Sequence, residues 1–202
     1  RVGKTRVRDG LGWQLALVDR KPGEVLRVGL RRGAEDITVD VELGELGLAE
    51  PVPEEGMTQG LRFEAFTGEW DKLPDFDTLT PVETGSADTP SEAAFATDDG
   101  ENYGLRFTGF VKVPRDGLYT FHTASDDGSR LYVGGQLLVD NDGLHSVWRR
   151  AGMARLQAGL HPITITFFER GGDEKLEVSF EGPEVGRQTI PKEAFFMRAP
   201  DP

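Results

Sequence analysis

Residues 123–145 read TASDDGSRLYVGGQLLVDNDGLH. Two short apolar runs, at 131–133 and 137–139, flank Gly134-Gly135. This pattern predicts a two-residue β-hairpin turn, because the tightest hairpin turns need positive φ at both central residues and glycine adopts it freely. Acids stand at both ends of the hairpin: Asp126 and Asp127 precede Gly128, and Asp140, Asn141 and Asp142 close the second run. A hairpin brings its ends together, so the two clusters come to neighbouring loops. Like charges there repel, and either a cation offsets the repulsion or the loops are fully solvated.

Strand signals spread outward from the hairpin. Leu61, Phe63 and Ala65 alternate with polar residues, as do Leu105, Phe107, Val111 and Val113 within GLRFTGFVKVP. Asp116-Gly117 turns the chain into LYTFHTA, and Gly171-Gly172 separates HPITITFFE from KLEVSFEGP. Ile163, Ile165 and Phe167 share one parity and are expected to face the core, as are Leu176, Val178 and Phe180. Short alternating runs with turn signals between them predict a mainly β chain folded as an antiparallel β-sandwich or barrel. Residues 67–103 are acidic, dotted with proline and read as irregular. Upstream, GLGWQLALVDRK at 10–21 is a short helix candidate ended by Pro22-Gly23. Residues 25–30 and the strictly alternating Ile37, Val39, Val41 and Leu43 form a hairpin about Arg32-Gly33. The expected organisation is a small helix-plus-hairpin segment at 1–45, a Gly-, Pro- and Glu-rich linker at 46–59, and a β-sandwich at 60–200. One helix and one hairpin bury too little apolar surface to be stable alone, so the first segment is expected to dock on something or to be part of a larger domain.

Composition narrows function. The 202 residues carry a net charge of −12. The acidity is concentrated: the balance is 0 over residues 1–50, −11 over 51–101 and −1 over 102–202. No basic face is available to neutralise a run of phosphates, which argues against a nucleic-acid partner. The chain has no cysteine, which removes disulfides, thiolate metal sites and cysteine nucleophiles. No apolar run approaches the roughly 20 residues of a membrane-spanning helix, so membrane insertion is not expected. No signal peptide is visible, and a chain opening on Arg1 reads as a piece of a longer polypeptide. HExxH, a Ser-His-Asp spacing and a phosphate-binding glycine loop are all missing from the sequence. Adjacent aspartates in one turn do not straddle a glycosidic bond, whose hydrolysis needs two carboxyls about 5–9.5 Å apart. No catalytic residue is assigned, although the chain could be attached to an enzyme.

The order and spacing of GLRFEAFTGEWDKLPDF (60–76), YGLRFTGFVKVPRDGLYTFHTASDDGSRLYVGGQLLVDNDGLH (103–145) and AGLHPITITFFERGGDEKLEVSFEGP (158–183) resemble the PA14 domain, a β-sandwich named after a bacterial protective antigen. ALVDRKPGEVLRVGLRRGAEDITVDVEL resembles the last third of a PDZ domain, a final helix and closing hairpin. Members of the PA14 family occur in glycosidases, adhesins, proteases and toxins, and many bind carbohydrate. In the adhesin branch, two consecutive aspartates joined by a cis peptide hold calcium, which in turn holds sugar hydroxyls. Asp126 and Asp127 lie at the matching place. The resemblance therefore implies a calcium-assisted carbohydrate-binding module of a larger exported bacterial protein, placed at the cell surface, outside the cell or in the periplasm. Its partners would be a glycan or polysaccharide, with neighbouring domains of the same polypeptide.

Elementary chemistry agrees with that implication. Calcium takes 6–8 oxygen ligands. Two carboxylates from one loop, with Asn141 or Asp142 from the next, supply much of such a shell. His145 and Trp148, with Arg149, are candidates for the same end of the sandwich, where an aromatic face suits the C–H surface of a sugar. His122 and His161 read as structural, and Trp13 and Trp70 as packing. The alternative from the same residues is a structural or protein-interaction module without a sugar ligand. In that case Asp-Gly is an ordinary turn whose side chains bond to nearby amides.

Overall fold

The computed structural model describes residues 2, 7, 12, 16, 17, 20, 21, 23–44, 47–95, 97 and 101–199. The chain divides into two compact units, Arg1–Gly47 and Leu48–Pro202.

In the first unit, β1 (Val25–Arg32) and β2 (Glu35–Glu42) form an antiparallel hairpin that pairs Val28 with Val39 and Leu26 with Val41. The period-2 alternation sorts the two faces. Leu26 and Val28 join Val2 in a small buried cluster supported by Val7, Ala16, Leu17 and Leu43. The opposite face carries the ion pairs Arg27–Asp40 and Arg31–Asp36, at 3.0 and 2.9 Å. Gly12, Ala16 and Leu17 are helical, and the rest of the helix expected at 10–21 lies largely outside the described residues, as does Trp13.

The second unit is an antiparallel β-sandwich, as the alternation predicts. One sheet has the order β10-β7-β12-β13: Trp148–Leu156, Gly117–Asp126, Lys175–Gly182 and Val185–Thr189. The other runs β3-β14-β6-β11-β8-β9: Met57–Gln59, Phe195–Arg198, Tyr103–Val113, Gly159–Glu169, Ser129–Val133 and Gln136–Asn141. In this second sheet β4 (Leu61–Thr67) also pairs with β6, and β5 (Glu83–Ala87) pairs with β4. Facing residues of both sheets make one core, including Phe107, Ile163, Ile165 and Phe167 from one side and Phe121, Leu176, Val178 and Phe180 from the other. The Gly134-Gly135 turn has φ of 59° and 78°, the left-handed pair that a tight hairpin demands.

Residues 49–59 do not behave as the expected linker. Ala49 donates to the Arg155 carbonyl at 2.8 Å and accepts from Gln157 at 3.0 Å, Val52 donates to Leu160 at 2.8 Å, and β3 pairs with β14. Glycine and proline kept any hydrophobic period out of this stretch. Its backbone nevertheless lies extended along sheet edges that would otherwise be unpaired. Among the described residues, no helix is long and apolar enough to cross a membrane.

Gly152 of β10 marks a close approach between the two sheets. A Cβ there would run into the Leu138 carbonyl oxygen of β9, a backbone atom that cannot swing aside. Gly152→Ala is therefore expected to lower stability by about 1–3 kcal/mol. Gly186→Ala in β13, where a Cβ meets open space, should change it by less than about 0.5 kcal/mol. Urea midpoints of the two variants check this.

Candidate functional site

Three strands of the sandwich end in polar residues at one place. β7 closes on Asp126 and β11 on Glu169, while β9 closes on Asn141. The Asp126–Asp127 peptide bond is cis. A carboxylate oxygen from each of Asp126, Asp127 and Glu169 lies within 4.8 Å of the others. All three residues are buried, Glu169 to the point of 1% exposure. Gly128 holds the aspartate loop against β11: its carbonyl accepts from the Phe168 amide at 3.0 Å, and a Cβ would press on the Phe168 ring. Here glycine serves close approach.

The hydrogen bonds within the cluster are unevenly distributed. Asp127 Oδ1 accepts from the His145 amide at 3.0 Å, and Oδ2 from the Arg170 amide at 3.2 Å. Glu169 completes no hydrogen bond at either carboxylate oxygen. Asn141 donates through Nδ2 to Ser125 Oγ at 2.9 Å and to the Trp148 carbonyl at 3.0 Å. Since a carbonyl can only accept, that second bond fixes the orientation of the amide, and Asn141 Oδ1 is left buried without a partner. Behind it Ser125, Ser129 and Thr123 form a buried hydroxyl ladder at 2.8 and 3.0 Å. Buried polar atoms without partners are rare and costly, and three of them here belong to two residues at one end of the sandwich.

Electrostatics follows. Burial raises the Asp126 carboxyl above its usual range, and Asp127 and Asp173 add to this against opposition from His145 and the Val147 amide. Glu169 is pushed up to about 7, first by burial and then by the charge of Asp127. Asp126 and Glu174 contribute further, and the Gly171 amide pulls the other way without completing a hydrogen bond. The nearby arginines are engaged elsewhere: Arg130 with Asp140 and Asp142, Arg170 with Glu69 and Asp71. An all-oxygen, carboxylate-rich donor set suits a hard divalent cation such as calcium.

The other expected site residues sit differently. Asp142 is not free to join the cluster. Its Oδ1 accepts from the Leu73 and Gly143 amides at 2.7 and 2.8 Å, and its Oδ2 from Arg130 at 3.0 Å. His145 is buried, with ring nitrogens 2.9 Å from the Ser146 and Asn141 carbonyls, so its ring braces the loop and does not face a ligand. Trp148 is 48% exposed, stacked on His145 at 4.6 Å, with the Arg150 guanidinium 5.3 Å from its ring. Leu144 and Val147 are exposed beside it in sequence. Arg149 pairs with Glu177 at 3.0 Å. His161 is buried against the Gln157 carbonyl at 2.8 Å, and Trp70 packs edge-on against Phe76. His122 is buried within 3.6 Å of Glu181.

Glu169 was missed by the sequence reading, although a signal exists. It shares the parity of Ile163, Ile165 and Phe167, which makes it an acid on the core face of a strand.

The PA14 domain family matches residues 65–194. Residues 1–45 gain no support for a PDZ resemblance. A curated relative, the anti-sigma-I factor RsgI3 of Acetivibrio thermocellus, is 27% identical over 97 residues, 48% of this chain. The chain spans about 15% of that relative's length. Among solved structures, the PA14 domain of the MpAFP antifreeze protein is similar over 77% of this chain and 99% of its own, with a TM-score of 0.61 at 18% identity. A PA14 sugar-binding domain from an RTX adhesin is similar over 69% and 98%, with a TM-score of 0.57 at 18% identity. At such identities the two structures show the fold alone.

A pH dependence follows from Glu169. In chelator, the folded chain keeps a proton on Glu169 that the unfolded chain gives up between pH 4.5 and about 7. The folded state binds more protons in that window, so this group's contribution to stability falls as pH rises through it. Glu169→Gln should remove that part of the slope, so the wild-type-minus-variant difference in urea midpoint should decline from pH 4.5 to 7.5.

Proposed function

Because the chain belongs to the PA14 family, we propose that residues 48–202 form a carbohydrate-binding module whose glycan is held through calcium. The observation that carries this reading is the gathering of carboxylate oxygens from the buried residues Asp126, Asp127 and Glu169 within 4.8 Å, with Arg130 and Arg170 paired to other acids. Two oxygens bound to one calcium at 2.3–2.6 Å stand at most about 5 Å apart, so the spacing fits a single ion. Asp126 and Asp127 hold the cation, and Asn141 Oδ1, buried and unpartnered at the same end of the sandwich, is the amide ligand. Bound calcium would offer its remaining coordination positions to ligand oxygens. The family's sugar-binding member among the similar structures supports carbohydrate as the ligand class.

The chain's own residues do the rest. Amides from His145 and Arg170 orient Asp127. The His145–Trp148 stack fixes the loop that leads into β10. Exposed Leu144, Val147 and Trp148 supply apolar surface for the C–H face of a sugar. Binding per site is weak, because a hydroxyl-rich ligand gives up water bonds as good as those it gains. Useful retention then requires several copies or an attached partner domain. We place such a module outside the cytoplasm, in an exported protein, and assign it no catalysis.

Melting with calcium and with chelator tests the cation. At 100 times the dissociation constant, binding adds about 2.7 kcal/mol to stability, on the order of 5–10 °C for a unit of this size. Asp127→Asn should lose that shift. On a glycan array, calcium-loaded wild type should retain a sugar that Asp127→Asn and Trp148→Ala both lose. A melt unchanged by chelator would favour the structural module instead.

A further inference from the structure

The reading above asks for two aspartates and an amide. Glu169 is an additional charge in the same few ångströms, and neither burial nor hydrogen bonding accounts for it. A buried glutamate normally has a cationic partner, a set of donors, or an acceptor for its proton. Glu169 completes no bond of any of these kinds. Protonation alone would not satisfy it, because the carbonyl oxygen of the neutral acid would still lack a donor. Its side chain is also placed firmly. Glu169 pairs with Tyr103 across β6 and β11, and its neighbour Phe168 is fully buried with its amide bonded to Gly128. The carboxylate has little freedom to swing into solvent, and its oxygen already lies within 4.8 Å of those of Asp126 and Asp127.

We propose that Glu169 is itself a ligand of the cation, so that three protein carboxylates load the ion before any glycan arrives. This inference deepens the calcium reading and rests on it. Three charges and an amide oxygen suit calcium, which accepts crowded, irregular oxygen shells. Magnesium, which demands a near-octahedral shell and gives up its waters reluctantly, is disfavoured. Calcium affinity is therefore high without sugar, and the sugar completes a shell that the protein has already mostly built. A terbium ion, carrying more charge on the same oxygen chemistry, also enters the site.

The test uses the full chain in sugar-free buffer, with calcium titrated by calorimetry and melting followed in calcium and in chelator. Wild type should bind one calcium. Glu169→Gln should bind it at least ~10-fold more weakly, the loss that even an outer partner of a metal ligand can cause. In chelator Glu169→Gln should melt no lower than wild type, because it removes an uncompensated buried charge, whereas in calcium it should melt lower. This crossover separates a ligand from a residue that only supports the fold. If Glu169→Gln keeps wild-type calcium affinity while Asp127→Asn loses it, the inference is overturned and the calcium reading stands. If Glu169→Gln melts lower even in chelator, Glu169 is structural and the inference is overturned as well. If wild type itself binds no calcium, both fall together.

Discussion

Negative charge that cannot reach water must be met by positive charge, and the end of this sandwich is arranged around that requirement. The two sheets pack through an apolar core of aromatic and branched side chains, yet three of their strands close on Asp126, Asn141 and Glu169. At an effective dielectric of about 20, each ionised pair a few ångströms apart repels by on the order of 3–4 kcal/mol. The amide bonds to Asp127 recover roughly 1–3 kcal/mol each, since they are made to a charged group. They orient the carboxylate but do not offset the whole cluster. A proton on Glu169 relieves part of the repulsion, and a divalent cation relieves all of it.

The two acid groups that bracket the β8–β9 hairpin have different electrostatic surroundings. Asp140 and Asp142 share Arg130, at 3.0 Å each. Asp142 also caps the Leu73 and Gly143 amides, which ties the acidic 67–103 segment to the hairpin. Among the described residues no arginine pairs with Asp126 or Asp127, and a third acid joins them instead. One cluster is closed by the chain itself, while the other gathers three carboxylates. His145, stacked under the half-exposed Trp148, links the two: its imidazole approaches the Asn141 carbonyl while its own amide holds Asp127.

The strands most legible in the sequence were those with one face in the core: β4, β6, β7, β8, β11 and β12 all alternate or carry continuous apolar runs. β5 (Glu83–Ala87) and β13 (Val185–Thr189) were not visible, because both lie at sheet edges with mostly exposed side chains and carry no hydrophobic period. β10 escaped notice because its first three residues are exposed and a glycine and an alanine occupy its middle. The aspartate pair was singled out by its setting in the hairpin together with the family resemblance. Asp142 could not be told apart from Asn141, because the residue that claims it, Arg130, is twelve positions away and reaches it only through the β8–β9 pairing. Glu169 stood in plain view at an inward parity, but its partners come from β7, forty-odd residues upstream, and only tertiary structure brings them together.

Residues 49–52 are bound at the pole of the sandwich opposite the carboxylates. Ala49 and Val52 are stitched to Leu156 and Leu160, at the end of β10 remote from Trp148 and the start of β11 remote from Glu169. β14 pairs with β6 at Phe110 and Val111, again distant from Tyr103. The pairings at 49–52 and 195–196 therefore fasten the sandwich away from the carboxylate loops, which lie at its opposite end.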